Sequence, residues 1–218
     1  LGHPVFMSLS EMATDPFARI RAEWTSSEAA HQWRLAVAPH APLRGLVDQI
    51  DRIVLELAER TGARIDIARN EQNETGLELV WADAEDRILV RLRQGQAPFL
   101  RFIDVRSTSE TASATLAKML TTDIAAVLEA DAAIRAAEGE PEAWACTVAR
   151  VVARWTELHE GALEIVRRTL ASSNPLARID GAWAAACLAT EDSLEALRRA
   201  REVEENPAIR DGMTRLLD

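Results

Sequence analysis

The stretch NPLARIDGAWAAACLATEDSLEALRRAREVEENPAIRDGMTRLL, from Asn174 to Leu217, decides the fold of the C-terminal third. Asn174-Pro175 returns as Asn206-Pro207, and Arg178 returns as Arg210, each 32 residues later. Asparagine caps helix N-termini and proline fits the first helical turn, so each copy marks the start of an equivalent helix. Gly181, Ala182, Ala184, Ala185 and Ala186 follow the first copy and allow close helix approach. Leu194, Leu197 and Val203 mark the second helix of that unit.

Outward from this stretch, the sequence predicts helices near 141–156, 158–171, 175–189, 192–204 and 207–217. Short connections make neighbours antiparallel. Asn174–Leu217 resembles the HEAT-like repeats of the phycobilisome-lyase type. Pro175, Arg178, Ala182, Ala185, Leu188, Leu197, Pro207, Arg210 and Leu216 carry the resemblance, while Trp183 is bulkier than that pattern usually shows. The pair from about Pro141 to Ala171 fits only loosely. The resemblance implies an α-solenoid with a partner-binding surface. At roughly three or more repeats needed for stability, so short an array has to pack on the rest of the chain. Arg178 and Arg210 are expected to pair with Asp180, Asp211 or neighbouring acids.

Upstream, residues 8–42 are helix-prone but interrupted. Asp15-Pro16 opens a helix carrying Phe17, Ile20 and Trp24, and Pro39 and Pro42 end the region. From Leu43 to Ala58, apolar residues recur at helical spacing opposite Asp48, Asp51, Arg52, Glu56 and Glu59, and Gly62 is a natural C-cap. Alternation then predicts strands at Ile65–Ile67, Leu77–Trp81 and Ile88–Leu92, with Phe99–Val105 as a fourth candidate, a three- or four-stranded antiparallel meander with one buried face. Its other face would show Arg64, Arg87, Arg91 and Arg93, with Arg101 as a further candidate, balanced by Asp66 and Glu78. Ser107-Thr-Ser-Glu110 reads as a capping box for one long helix through Leu116, Leu120, Ile124, Leu128 and Ile134, broken at Gly139 and Pro141. The expected class is α+β: an N-terminal helix, an antiparallel β-meander and a long helix over 8–138, then a short α-solenoid of HEAT-like helix pairs over 140–218.

Charge narrows the function classes. Lys and Arg total 25 against 35 Asp and Glu, a formal net charge of −10. Both halves of the division near 139 are acidic, so attraction to nucleic acid or anionic lipid is not expected, and a basic partner is. No apolar run is long enough to span a bilayer, and the opening LGHPVFM lacks the features of a signal peptide. Cys146 and Cys187 sit in Ala-rich helical runs, form no CxxC and suit a reducing cytoplasm.

Motifs for chemistry are missing. His3, His31, His40 and His159 have no metal-ligand spacing, and His159 reads as a solvent-facing helix residue. There is no Walker A loop, no GxGxxG and no GxSxG. Asp83, Glu85 and Asp86 read as a hairpin turn rather than a cation loop. No cofactor or metal is expected. Trp144 and Trp155, eleven residues apart, would share one helical face, as core or as a pair of interface anchors. The expected function is a non-catalytic, cytoplasmic protein-binding module, most sharply a bacterial immunity or inhibitor protein masking a toxin, with Arg87, Arg91, Arg93, Trp144 and Trp155 as candidate partner-binding residues. Alternatives are a secretion chaperone or adaptor, or an enzyme of HEAT-like build such as a lyase or a DNA-repair glycosylase.

Overall fold

The computed structural model describes residues 31–73, 76–85, 87–95, 100–153 and 155–218. The expected helix through Phe17, Ile20 and Trp24 lies outside the described residues. Strand β1 (His31–Val37) is followed by helix α1 (Leu43–Thr61) and strands β2 (Ile65–Asn73), β3 (Gly76–Asp83), β4 (Ile88–Gly95) and β5 (Leu100–Ser107). Then come helix α2 (Glu110–Asp123), the two-residue strand β6 (Val127–Leu128) and helix α3 (Ala130–Ala137). Helices α4 (Pro141–Val152), α5 (His159–Leu170), α6 (Pro175–Leu188), α7 (Glu191–Val203) and α8 (Pro207–Leu217) complete the chain, with a 3-10 turn at Thr156–Leu158 before α5. The class is α+β.

The meander β2 to β5 forms as its alternation predicts, within a larger sheet of order β2-β3-β4-β5-β1-β6 whose neighbours are all antiparallel. Residues 31–37, expected within a helix-prone region, form a strand instead. Trp33, Leu35 and Val37 alternate onto the face that packs on α1 and α2, while pairing with β5 satisfies the backbone.

One core lies between this face and α1 and α2. It includes Ile50, Ile53, Leu57, Trp81, Val90, Leu92, Ile103, Leu116 and Leu120. The indole N–H of Trp81 donates to Asp51 Oδ1 at 3.1 Å and ties the sheet to α1. The second core lies between the opposite face, at Ala36 and Phe102, and the later helices, including Ala133, Ala137, Val148, Val152 and Val166. The sheet is therefore covered on both sides at β1 and β5. Ile67, expected to alternate inward, is 55% exposed beside the irregularity at Ile67/Arg69 in edge strand β2.

The single long helix expected from Ser107 onward is three elements. Its cap is Ser109, whose Oγ accepts from the backbone N–H of Ala112, while Ser107 ends β5 and donates to the carbonyl of Arg87 at 2.7 Å. At Ile124 the backbone turns extended, and Val127 and Leu128 pair with β1 instead of continuing the helical stripe. Apolar side chains at those positions suit either state, so edge pairing decides.

Five helices from Pro141 onward match the expected spans within a few residues. Helix α4 packs against α6, and α6 against α8, while α5 packs against α7. The Asn-Pro copies make equivalent contacts. Asn174 Oδ1 accepts from Leu176 N, and Asn206 Oδ1 from Ala208 N, both at 3.0 Å. Arg178 donates to the carbonyl of Ser172, and Arg210 to that of Glu204, 32 residues on. Arg178 pairs with an acid as expected, and that acid is Glu204. Its Nε and Nη2 reach the two carboxylate oxygens at 2.7 and 3.0 Å.

Glu204 is buried, and the hydrogen bond from Arg178 holds its carboxyl below the usual glutamate range. A depressed folded value means that the stabilisation is complete above the unfolded glutamate value of about 4.3 and is lost as pH falls through the folded value. Accordingly, the melting-temperature advantage of the parent over Glu204→Gln is expected to be constant from pH 8 to 6 and to shrink below pH 4. A difference that stays flat down to pH 3 would contradict this.

Candidate partner-binding surfaces

Arg87 and Arg91 of the arginine face meet carboxylates of the same hairpin. Arg87 donates through Nε to Asp83 Oδ2 at 2.8 Å, and Asp83 Oδ1 accepts from the Arg87 backbone N–H at 2.7 Å. This pair closes the β3–β4 hairpin and uses the Asp83 carboxylate. Arg91 lies 3.9 Å from Glu78, which also accepts from Arg69 at 3.0 Å, so Glu78 balances this face as expected. Arg93 is exposed opposite Phe102 in the β4–β5 register. Arg64 precedes β2 and is not a strand residue. Arg101 does not join this face. By strand alternation it lies on the side of Ile103, is buried, and donates to the carbonyl of Ala41 at 2.6 Å, which pins the β1–α1 loop.

The two tryptophans expected on one helical face are separated. Helix α4 ends at Val152, before Trp155. Trp144 is only 5% exposed and belongs to the second core. Trp155 instead meets Trp33 of β1, with ring centroids 6.1 Å apart and planes tilted by 46°. The pair therefore offers no joint interface anchor. His159 is half-buried at the first position of α5 rather than fully solvent-facing.

Two of the concave features among the described residues bear on binding. The larger, about 480 Å³, runs between α6 and α8. Ile179, Ala182 and Trp183 form one wall, and Ala208, Gly212, Met213 and Leu216 form the other, with Arg215 as its charged member. Two residues of its α6 wall are open to solvent, Trp183 at 43% and Ile179 at 36%, and Leu176, one turn earlier on the same helix, is 70% exposed. These three recur at i, i+3 and i+7, a stripe along the outer side of α6. The floor is low because an added Cβ at Gly212 would meet nothing within 4 Å. In sequence, Trp183 stood out as a misfit to the repeat pattern, and that misfit was the available signal for this groove.

The second feature is a cleft of about 270 Å³ where the sheet meets the helices, lined by Trp33, Leu35, Trp155 and Leu158 with Glu129, Asp131 and Glu157. Arg34 also borders it, but donates to Asp104 Oδ1 at 2.6 Å and to the carbonyl of Arg150 at 3.1 Å, with its guanidinium 5.2 Å from the Phe102 ring centroid.

Cys146 is buried, and removal from water pushes its thiol above the usual range; its Sγ donates to the carbonyl of Asp180. A thiol held protonated in this way is a packing group rather than a nucleophile. Among the described residues no three His, Cys, Asp or Glu side chains cluster as metal ligands, and no helix is long and apolar enough to cross a membrane. No protein family, curated protein or solved structure matches the chain.

Proposed function

We propose that the chain is a non-catalytic protein-binding module, most sharply a cytoplasmic bacterial immunity or inhibitor protein that masks a partner such as a basic toxin domain. The reading rests on the groove between α6 and α8. Folded chains seldom leave a tryptophan, an isoleucine and a leucine side by side in water unless something docks there. Contacts of α4 with α6 and α6 with α8, beside those of α5 with α7, support a short α-solenoid of HEAT-like pairs. The groove then falls between the first helices of two successive units. A partner helix laying its apolar face into such a groove is a common recognition mode. The net charge of −10 favours a basic partner by steering.

The test is recovery of the tagged chain from lysate of its own source, at low and high salt, with mass spectrometry. One stoichiometric basic protein that survives high salt is expected. Trp183→Glu removes the anchor and Gly212→Leu fills the floor, so each should weaken that complex by about thirtyfold or more, as for a central aromatic hot spot worth roughly 2 kcal/mol. Both changes lie at accessible positions, and circular dichroism should report an unchanged fold. A complex indifferent to both variants would remove the groove from the reading. Lack of any stoichiometric partner would count against a tight inhibitor.

A further inference from the structure

We infer that the cleft between the sheet and the helices is a second, separate site, which takes an arginine side chain from an extended segment of a partner protein. The inference rests on the cleft and not on the groove between α6 and α8. At about 270 Å³ the cleft has room for one long side chain. Its inner wall is Trp33 and Trp155, two indoles tilted against each other. A planar guanidinium stacks on such a wall and is attracted by the ring face.

The rim supplies the complementary charge. Glu129 and Glu157 border the cleft, and no cationic side chain among the described residues lies within ion-pair distance of either. Asp131 is the third rim carboxylate and is already held by Arg135 at 2.8 Å. The positive group at the inner end, Arg34, is neutralised by Asp104 at 2.6 Å. An incoming guanidinium would therefore find an aromatic wall and, among the described residues, two carboxylates without a cationic partner and no uncompensated cation to repel it. Lysine lacks the plane that stacks and the fork that reaches two carboxylates.

Binding of a fluorescent, capped hexa-arginine peptide to the full chain tests this by anisotropy. Glu129→Gln/Glu157→Gln should weaken binding about tenfold, as for loss of close charge pairs. Glu59→Gln/Glu202→Gln removes the same net charge from exposed positions on α1 and α7, and should change it less than about twofold, as for distant screened charges. Trp155→Leu should also weaken hexa-arginine binding, and hexa-lysine should bind more weakly than hexa-arginine. Equal losses in the two double variants would reduce the attraction to diffuse charge and overturn the site. Displacement by spermine as effective as by unlabelled hexa-arginine would overturn the preference for a guanidinium on a peptide. Absence of binding at low salt would overturn the site while leaving the groove, and the partner recovered through it, untouched.

Discussion

Replacing Asp104 with alanine is expected to lower the unfolding free energy by about 3–5 kcal/mol, the range for breaking a buried ion pair from one side. Asp104 stands on β5 opposite Arg34 of β1, and both are nearly shut off from water. Its carboxylate accepts from Arg34 Nε at 2.6 Å and from Gln32 Nε2 at 3.2 Å. Without it the Arg34 guanidinium remains buried against Phe102 and the end of α4, with its charge uncompensated. A chain of this length shifts in melting temperature by about 2–4 °C per kcal/mol, so the loss should be visible in both urea and thermal unfolding. Arg34→Met combined with Asp104→Leu should recover most of the deficit, because an apolar pair of similar volume avoids the desolvation cost. Additive losses in the double variant, or a loss below about 1 kcal/mol for Asp104→Ala, would show that the pair is solvated. The position matters beyond stability. Arg34 also donates to the carbonyl of Arg150, so the pair fastens the helices to the sheet and shapes the inner end of the cleft.

Elements whose residues have only one way to bury themselves were legible in sequence. The stripe from Leu43 to Ala58 has a single apolar side, and α1 forms there. The Asn-Pro copies fix the starts of α6 and α8 by local capping alone, and both begin where that chemistry places them. What was not legible depended on partners distant in sequence. Trp33, Leu35 and Val37 gain a strand only because β5, about 70 residues later, offers them an edge. Val127 and Leu128 leave the helical pattern because β1 offers a second edge. Residue type alone groups Arg101 with Arg91 and Arg93, whereas strand parity puts it on the other side of the sheet. The spacing of Trp144 and Trp155 implied one face only if the helix ran on past Val152, and it stops there. The groove was the least legible feature. It requires α6 and α8 to lie side by side, and its sequence trace was one oversized residue, Trp183, in a run of small ones.

The small residues in that run lead to an expectation whose sign, not only its size, is set by packing. In isolation, alanine in place of a mid-helix glycine gains about 1 kcal/mol. At Gly181 the opposite is expected. A Cβ there would sit 2.9 Å from the backbone nitrogen of Leu170 and 3.1 Å from the carbonyl carbon of Thr169, at the end of α5. Those atoms are backbone and cannot swing aside, so α6 would have to lift from α5 and loosen the second core. Overpacking of this kind costs about 1–3 kcal/mol, which outweighs the propensity gain, and Gly181→Val should cost more. Gly45 in α1 provides the contrast, since nothing lies within 4 Å of an added Cβ there. Gly45→Ala should therefore stabilise the chain by about 0.5–1 kcal/mol. Urea midpoints of the two single variants, read against the parent, should move in opposite directions. A stabilising Gly181→Ala would mean that α5 and α6 have room to separate, and that their close approach does not hold the frame on which the groove is built.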